Sequence, residues 1–259
     1  QAASRLIGAS LELGGKNPMI VCADADLDTF LESAIQGCFT SAGQLCVSIE
    51  RMFIHDSIYE KFLAALVKKI DGLTLGARLG WGYDIGSLGS KSVAERVLAA
   101  VETAKHEGAQ IVVGGKLRPD IGPYVFEPTV LTGVTNTMKI YREEVFGPVV
   151  YALPFKNISE AIELANDSEY GLSASIISTN VKQAQQIASQ IKCGSVNIND
   201  GFAATFGSVA APMGGMGNSG VGRRHGIEGL IRFTEPQTIA AHPSFITGPK
   251  CLSSRPPTD

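Results

Sequence analysis

The chain has 259 residues, with 22 basic against 25 acidic side chains, a formal net charge of −3, and 44% hydrophobic against 18% charged residues. This balance excludes a disordered chain, which would be poorer in apolar residues and richer in charge. It also argues against a nucleic-acid binder, because no net basic charge is available to meet phosphates. In chain order, Met19-Ile20-Val21-Cys22 reads as a short buried strand. Leu27, Phe30, Leu31, Ala34, Ile35 and Cys38 then recur with helical period. Asp24, Asp26 and Asp28 stand at the start of that helix, where carboxylates cap free N–H groups and suit the helix dipole. Ser41-Ala42-Gly43 closes it, so Cys46 falls in the loop just beyond. Arg51-Met52-Phe53-Ile54 reads as the next strand, and Ser57 as the cap of a helix that carries Ile58, Phe62, Leu66 and Ile70 on one face.

Residues 76–89 hold five glycines and the only tryptophan, and read as a loop. Residues 91–107 form an amphipathic helix, and 110–113 a strand closed by Gly114-Gly115. Strands are expected at 124–131, 148–155, 172–178 and 195–199, with helices at 159–166 and 181–191. The glycine-rich stretch 201–222 reads as irregular, 232–240 as a last strand, and 248–259 as a loose tail. Strands that alternate with helices imply an α/β fold, a mostly parallel sheet with crossover helices.

The five cysteines, Cys22, Cys38, Cys46, Cys193 and Cys251, are odd in number and contain no C-x-x-C, which disfavours a disulfide framework or a zinc knuckle. His55, His106, His225 and His242 are scattered without metal-ligand spacing, so no metal is expected. The opening Gln1-Ala2-Ala3-Ser4-Arg5 lacks the apolar core of a signal peptide. The uncharged stretch 201–222 is too broken by Gly, Ser, Asn and Pro to span a membrane. A reduced, cytoplasmic setting without membrane or nucleic-acid partners is the expectation. Gln1 in place of an initiator methionine suggests a piece of something longer.

Two residues stand out for chemistry. Cys46 lies in a Gly-containing loop after a helix, where a side chain can reach a cleft, whereas Cys22, Cys38 and Cys193 lie in apolar patterns and read as buried and inert. Glu12 sits between apolar neighbours in Leu11-Glu12-Leu13-Gly14-Gly15-Lys16. There a carboxylate either has a task or partner, or is a solvated residue at a strand end.

Glu12-Leu13-Gly14-Gly15-Lys16-Asn17-Pro18, followed by Gly43-Gln44-Leu45-Cys46 with the cysteine 34 residues after the glutamate, resembles the aldehyde dehydrogenase superfamily. So do Glu143-Glu144-Val145-Phe146-Gly147-Pro148 and Pro212-Met213-Gly214-Gly215-Met216-Gly217-Asn218-Ser219-Gly220. The resemblance covers roughly residues 4–242. Within the superfamily, 41–51 and 211–217 are most similar to bacterial succinate-semialdehyde dehydrogenases of the second type. The resemblance implies an aldehyde dehydrogenase-like catalytic domain, with helices on both faces of the sheet and a C-terminal bridging strand. It implies the end of a cofactor-binding domain at 1–14, the catalytic domain at 15–220, a C-terminal return and oligomerisation strand at 221–242, and a tail at 243–259.

The resemblance also implies roles. Thiolate Cys46 would attack an aldehyde, with its own backbone N–H helping to hold the oxyanion. Hydride would pass to NAD or NADP, and Glu12, its pKa raised by an apolar pocket, would activate the water that hydrolyses the thioester. Glu144 and Phe146 match the positions that grip the nicotinamide ribose and pack near the ring, while Glu143 reads as an ordinary solvated charge. The substrate implied is succinate semialdehyde or a similar small aldehyde, in a homo-oligomer, dimer or tetramer. The alternatives are a broad medium-chain or aromatic aldehyde dehydrogenase, or a non-catalytic isolated domain.

Gly215-x-Gly217-x-x-Gly220 formally fits a dinucleotide fingerprint, but it neither leaves a strand directly nor has an acid about 20 residues on. It reads instead as a tight turn. Two positions depart from the family pattern. Thr40 stands where the better-known succinate-semialdehyde dehydrogenases carry an arginine, and Arg224 stands where many members carry a glutamate. Arg223, Arg224 and His225 read equally as an anionic-substrate patch or as a solvated or interface group. Full-length members are about twice as long, so the adenosine-binding half is not expected within 1–259. The chain by itself is expected not to oxidise aldehydes.

Overall fold

A computed structural model describes residues 1–241. In chain order the elements are β1 (Leu11–Glu12), β2 (Asn17–Val21), α1 (Leu27–Phe39), β3 (Ile49–His55), α2 (Tyr59–Asp71), α3 (Lys91–His106), β4 (Gln110–Val113) and β5 (Thr129–Thr132). They continue with α4 (Lys139–Arg142), β6 (Val149–Phe155), α5 (Ile158–Asn166), β7 (Tyr170–Gly171), β8 (Ser173–Ile177), α6 (Val181–Ala188) and β9 (Ser195–Ile198). The last are α7 (Ala203–Phe206), β10 (Met216–Gly217), β11 (Gly220–Val221) and α8 (Gly226–Ile231).

Seven strands form one sheet in the order β4-β5-β6-β3-β2-β8-β9. Only β4 against β5 is antiparallel. From β2 the chain moves one way across the sheet through α1 to β3. From β6 it moves the other way through α5 to β8, and through α6 to β9. Right-handed crossovers then place α1 on one face and α5 and α6 on the other. The contacts agree: α1 packs on α2, β3 and β6, α5 on β2, β3 and β6, and α6 on β8 and β9. The inner strands β2 and β8 are buried along their whole length, as expected of strands covered on both faces. No helix among the described residues is long and apolar enough to cross a membrane.

Several boundaries differ from the sequence reading, each for a local reason. The second helix takes Ile58 as its N-cap, with no side-chain cap, and Ser57 lies instead in a 3₁₀ turn capped by His55. The His55 ring Nδ1 accepts the Ser57 N–H at 3.2 Å, and the chain enters α2 through a 3₁₀ turn over Asp56–Ile58. The strand expected at 124–131 begins only at Thr129, because Pro128 has no N–H to give a ladder. The helix expected at 181–191 stops at Ala188. The Ser189 hydroxyl bonds the Gln186 carbonyl at 2.8 Å, and the chain tightens into i to i−3 turns.

The short helices α4, α7 and α8 carry no strong apolar period and went unread. Residues 232–241 form no strand: Arg232, Phe233 and Thr234 complete the turn that ends α8, and 235–241 are exposed without regular structure. His242, Cys251 and the tail at 243–259 lie outside the described residues.

Candidate active site

Every candidate residue lies on a segment that enters a parallel strand. Glu12 and Lys16 precede β2, Cys46 precedes β3, and Glu144 and Phe146 precede β6. Because the strands are parallel, all reach the same edge of the sheet, its amino-terminal edge. Crevices in open α/β sheets usually form at the opposite, carboxyl edge.

The Cys46 segment is built by a reversal after α1. Ser41, Ala42 and Gly43 take φ of 56°, 55° and 67° in succession, a left-handed run that turns the chain back toward the sheet. A side chain at Gly43 would strike the Gly147 carbonyl, so this turn packs directly on Gly147-Pro148. Gln44 ties the loop down. It donates to the Ser41 carbonyl at 3.0 Å and accepts the Gly89 N–H at 2.8 Å. Cys46 is left half-buried. Its carbonyl, and that of Ser48, each accept a hydrogen bond at 2.8 Å from the buried Asn17 amide.

Glu12 lies on β1, directly opposite Gly220 of β11. The glycine-rich stretch therefore works as the tight turn expected. β10 pairs with β7 and β11 with β1, and a side chain at Gly220, whose φ is 133°, would run into the Leu11 carbonyl. The Glu12 side chain is 17% exposed, and Arg224 Nε stands 3.6 Å from its Oε1. Its surroundings are thus not the purely apolar pocket implied by the sequence, since a guanidinium shares them. Arg224 is held by its backbone, which exchanges hydrogen bonds of 2.7 and 2.6 Å with Met213. Arg223 points elsewhere, donating to the carbonyls of Gly215 and Gly222.

Glu144 is half-buried and accepts the Gly15 N–H at 3.0 Å. Burial pushes its carboxyl above the usual range. A side chain at Gly14 would collide with the same carboxylate, so both glycines admit Glu144 to the Glu12 segment. Phe146, with φ of 55°, is held in the left-handed region. The buried Glu50 holds it there, accepting the N–H groups of Val145 at 3.0 Å and Phe146 at 2.9 Å while pairing with Lys16 at 2.6 Å. Burial lowers the Lys16 pKa, and the Glu50 charge opposes that shift.

Beside Glu144 lies a cavity of about 150 Å³, lined by Arg96, Thr103, Lys139, Glu143 and Ile140 among others. Glu143 is mostly exposed against Lys139, as the sequence reading had it. Arg96, Asn17 and Glu50 escaped that reading. Arg96 lies on the polar side of an amphipathic helix, and the other two looked like ordinary polar residues at strand ends. The one signal for Glu50 was its spacing from Lys16, the same 34 residues that separate Cys46 from Glu12.

The three regions meet at the thiol. Burial raises the Cys46 pKa, and the Glu12 and Glu144 carboxylates raise it further. The backbone N–H groups of Cys46 and Val47 work against them. These surroundings favour the thiol over the thiolate that the attack needs. The other described cysteines fit the inert reading. Burial pushes Cys22 up to about 12 and Cys193 up to about 11, and raises Cys38 as well. No cluster of metal-ligating side chains occurs among the described residues.

Residues 1–239 match the profile of the aldehyde dehydrogenase family. A protein of Mycolicibacterium smegmatis, provisionally named a succinate-semialdehyde dehydrogenase (NADP+), is 49% identical over 240 residues, or 93% of this chain and 46% of that protein. Among solved structures, the NAD+ complex of an aldehyde dehydrogenase from Bacillus cereus is 42% identical with a TM-score of 0.85, covering 90% of this chain and 47% of that one. The NAD+ complex of betaine aldehyde dehydrogenase from Staphylococcus aureus is 38% identical with a TM-score of 0.83, covering 92% and 49%. The chain spans about half the length of the curated relatives it matches.

Proposed function

The chain belongs to the aldehyde dehydrogenase family, and from that premise we propose that it carries the chemical centre of an NAD(P)-dependent aldehyde oxidation. The observation that carries this reading is the convergence of one half-buried thiol with two carboxylates that both act on its ionisation. Cys46 Sγ, its proton released to solvent, attacks the aldehyde carbon. The oxyanion that forms is met by N–H groups of the nucleophile loop. NAD or NADP, when bound, supplies a hydride acceptor, and Cys46 is left as a thioester. Glu12 then takes a proton from water as that water attacks the thioester carbon, which releases the acid and frees the thiol.

The residues at the rim fit the nicotinamide end of such a cofactor. Glu144 is an acceptor for ribose hydroxyls, Arg96 lines the same cavity, and Phe146 offers an apolar ring. They offer nothing obvious for an adenosine, so NAD or NADP should bind the 259-residue polypeptide only weakly.

For the substrate we favour a small aldehyde bearing a carboxylate, such as succinate semialdehyde. The support is Arg224, a cation 3.6 Å from Glu12, together with the names of the similar proteins. Thr40, which offers no charge, favours the broader medium-chain or aromatic reading, and an aldehyde panel decides between them. A homo-oligomer is supported by the exposed apolar side chains of the segment 232–241, with Phe233 81% and Ile239 87% exposed.

The direct test is protection. Iodoacetamide should label Cys46 ahead of Cys22, Cys38 and Cys193, and millimolar succinate semialdehyde should slow that labelling by forming the thiohemiacetal. Labelling of Cys46 slower than that of Cys193, or indifferent to every aldehyde offered, would sink the reading. In a polypeptide that shows turnover, Cys46→Ala should abolish it.

A further inference from the structure

Asn17 is a buried rim side chain whose amide is engaged at both ends. It is 1% exposed. Its amide nitrogen donates to the carbonyls of Cys46 and Ser48, both at 2.8 Å, and its amide oxygen accepts the Ser173 N–H at 3.0 Å. The partners settle which end is which, because two carbonyls can only accept and an N–H can only donate. Gly15 shows how closely the group is enclosed: a Cβ there would come within 2.6 Å of Asn17 Oδ1 and 2.7 Å of the Cys46 carbonyl oxygen.

A trans peptide points its C=O and its N–H to opposite sides. The Cys46 carbonyl and the Val47 N–H belong to one peptide unit. With that carbonyl drawn down to Asn17, the Val47 N–H must point the other way. An N–H set on that side eases ionisation of the thiol against burial and two carboxylates. The Ser48 carbonyl, held by the second amide proton, fixes the chain on the far side of Val47, so the unit cannot rotate by itself.

We propose that Asn17 is the positioning residue of the nucleophile, which by holding the Cys46 carbonyl presents the Val47 N–H to the sulfur. The inference rests on Cys46 being the nucleophile. Asn17 itself touches no substrate. The competing view is that Asn17 is only a link between β2 and β8 through Ser173.

Asn17→Asp and Asn17→Ser separate the two. Asp keeps the acceptor for Ser173 but turns oxygen toward two carbonyl oxygens. Ser keeps a single short donor. The 259-residue chain is labelled with iodoacetamide, and Cys46 is compared with Cys193 by peptide mapping, beside a thermal melt and hydrogen exchange of the Val47 amide. The expected result is a fall in the Cys46-to-Cys193 rate ratio, about tenfold for Asp, the scale of a hydrogen bond to a charged group, and severalfold for Ser. Val47 should exchange faster while Ile20 and Met52 in the sheet keep their protection.

An unchanged ratio in folded protein would overturn the proposal. So would a general rise in which Cys22 and Cys193 become as reactive as Cys46, since that marks loosening of the fold alone. Wild-type protein in which Cys46 is slower than Cys193 would instead remove the functional reading beneath it.

Discussion

The inner strands of the sheet and the rim at their amino ends are held by different forces. β2 and β8 are buried residue by residue, and Met19, Ile20, Met52, Phe53 and Ile176 are within 1% of complete burial. Each such contact is one of many, so the core is redundant. The rim depends on single polar bonds and on glycines. One carboxylate, Glu50, holds two N–H groups and a buried ammonium, one amide holds two carbonyls, and Gly14, Gly15 and Gly43 leave no room for a side chain. The chain thus keeps its stability in one layer and its chemistry in another. A core substitution should cost stability and leave the chemistry in proportion, whereas a rim substitution should do the reverse.

The sharpest test of that division is Glu12→Gln. Glu12 is near the surface and contributes little packing, so melting should shift hardly at all. In a polypeptide that turns over, steady-state oxidation should fall by on the order of 10²–10⁴. The first burst of reduced cofactor should survive, because thioester formation needs no water. A lost burst with normal deacylation would give Glu12 a different role.

The converse is Phe53→Ala in β3, where the side chain is fully buried. Removing it should cost about 3–5 kcal/mol, read as a lower denaturant midpoint. Below the transition the order of cysteine labelling should stay as in the wild type. If Cys46 labelling changed selectively, the two layers would be coupled more tightly than the contacts suggest.

These expectations also explain what the sequence could and could not reveal. The core was legible because burial leaves a periodic trace. The apolar run 19–22 and the helical spacing from Leu27 to Cys38 both correspond to elements of the fold. Cys46 and Glu12 were legible through their loop setting and motif. Asn17 and Glu50 were not, because a polar residue bonded across 29 to 156 positions of sequence looks like any solvated one, and Arg96 lies on the polar side of its helix. Nor does sequence show what raises the Cys46 pKa, burial first and then two carboxylates, because Glu12 and Glu144 come from distant segments. The strand expected at 232–240 finds no ladder among the described residues, since the resemblance that implied it places its partner in another subunit.

The carboxylates give a third test. Glu144→Gln keeps an acceptor for the Gly15 N–H but removes a negative charge near the thiol. Removing it makes ionisation easier, so Cys46 labelling at about pH 7.5 should become faster, by roughly two- to fivefold for a partly screened charge. The direction is the point. A purely structural Glu144 would leave the rate unchanged or slow it.

The smallest effect is expected at Arg224, which stands on the rim but outside its tight bonding. Its side chain is 54% exposed and its ion pair with Glu12 spans 3.6 Å, so Arg224→Gln should move stability by no more than about 0.5 kcal/mol. Its charge matters only to a substrate that carries the opposite one. In the protection assay on Cys46, Arg224→Gln should raise the concentration of succinate semialdehyde needed, while leaving that of an uncharged aldehyde such as butanal unchanged. Equal effects on both aldehydes would mean that Arg224 serves Glu12 alone. No effect on either would leave the preference for a carboxylated aldehyde without support from this chain.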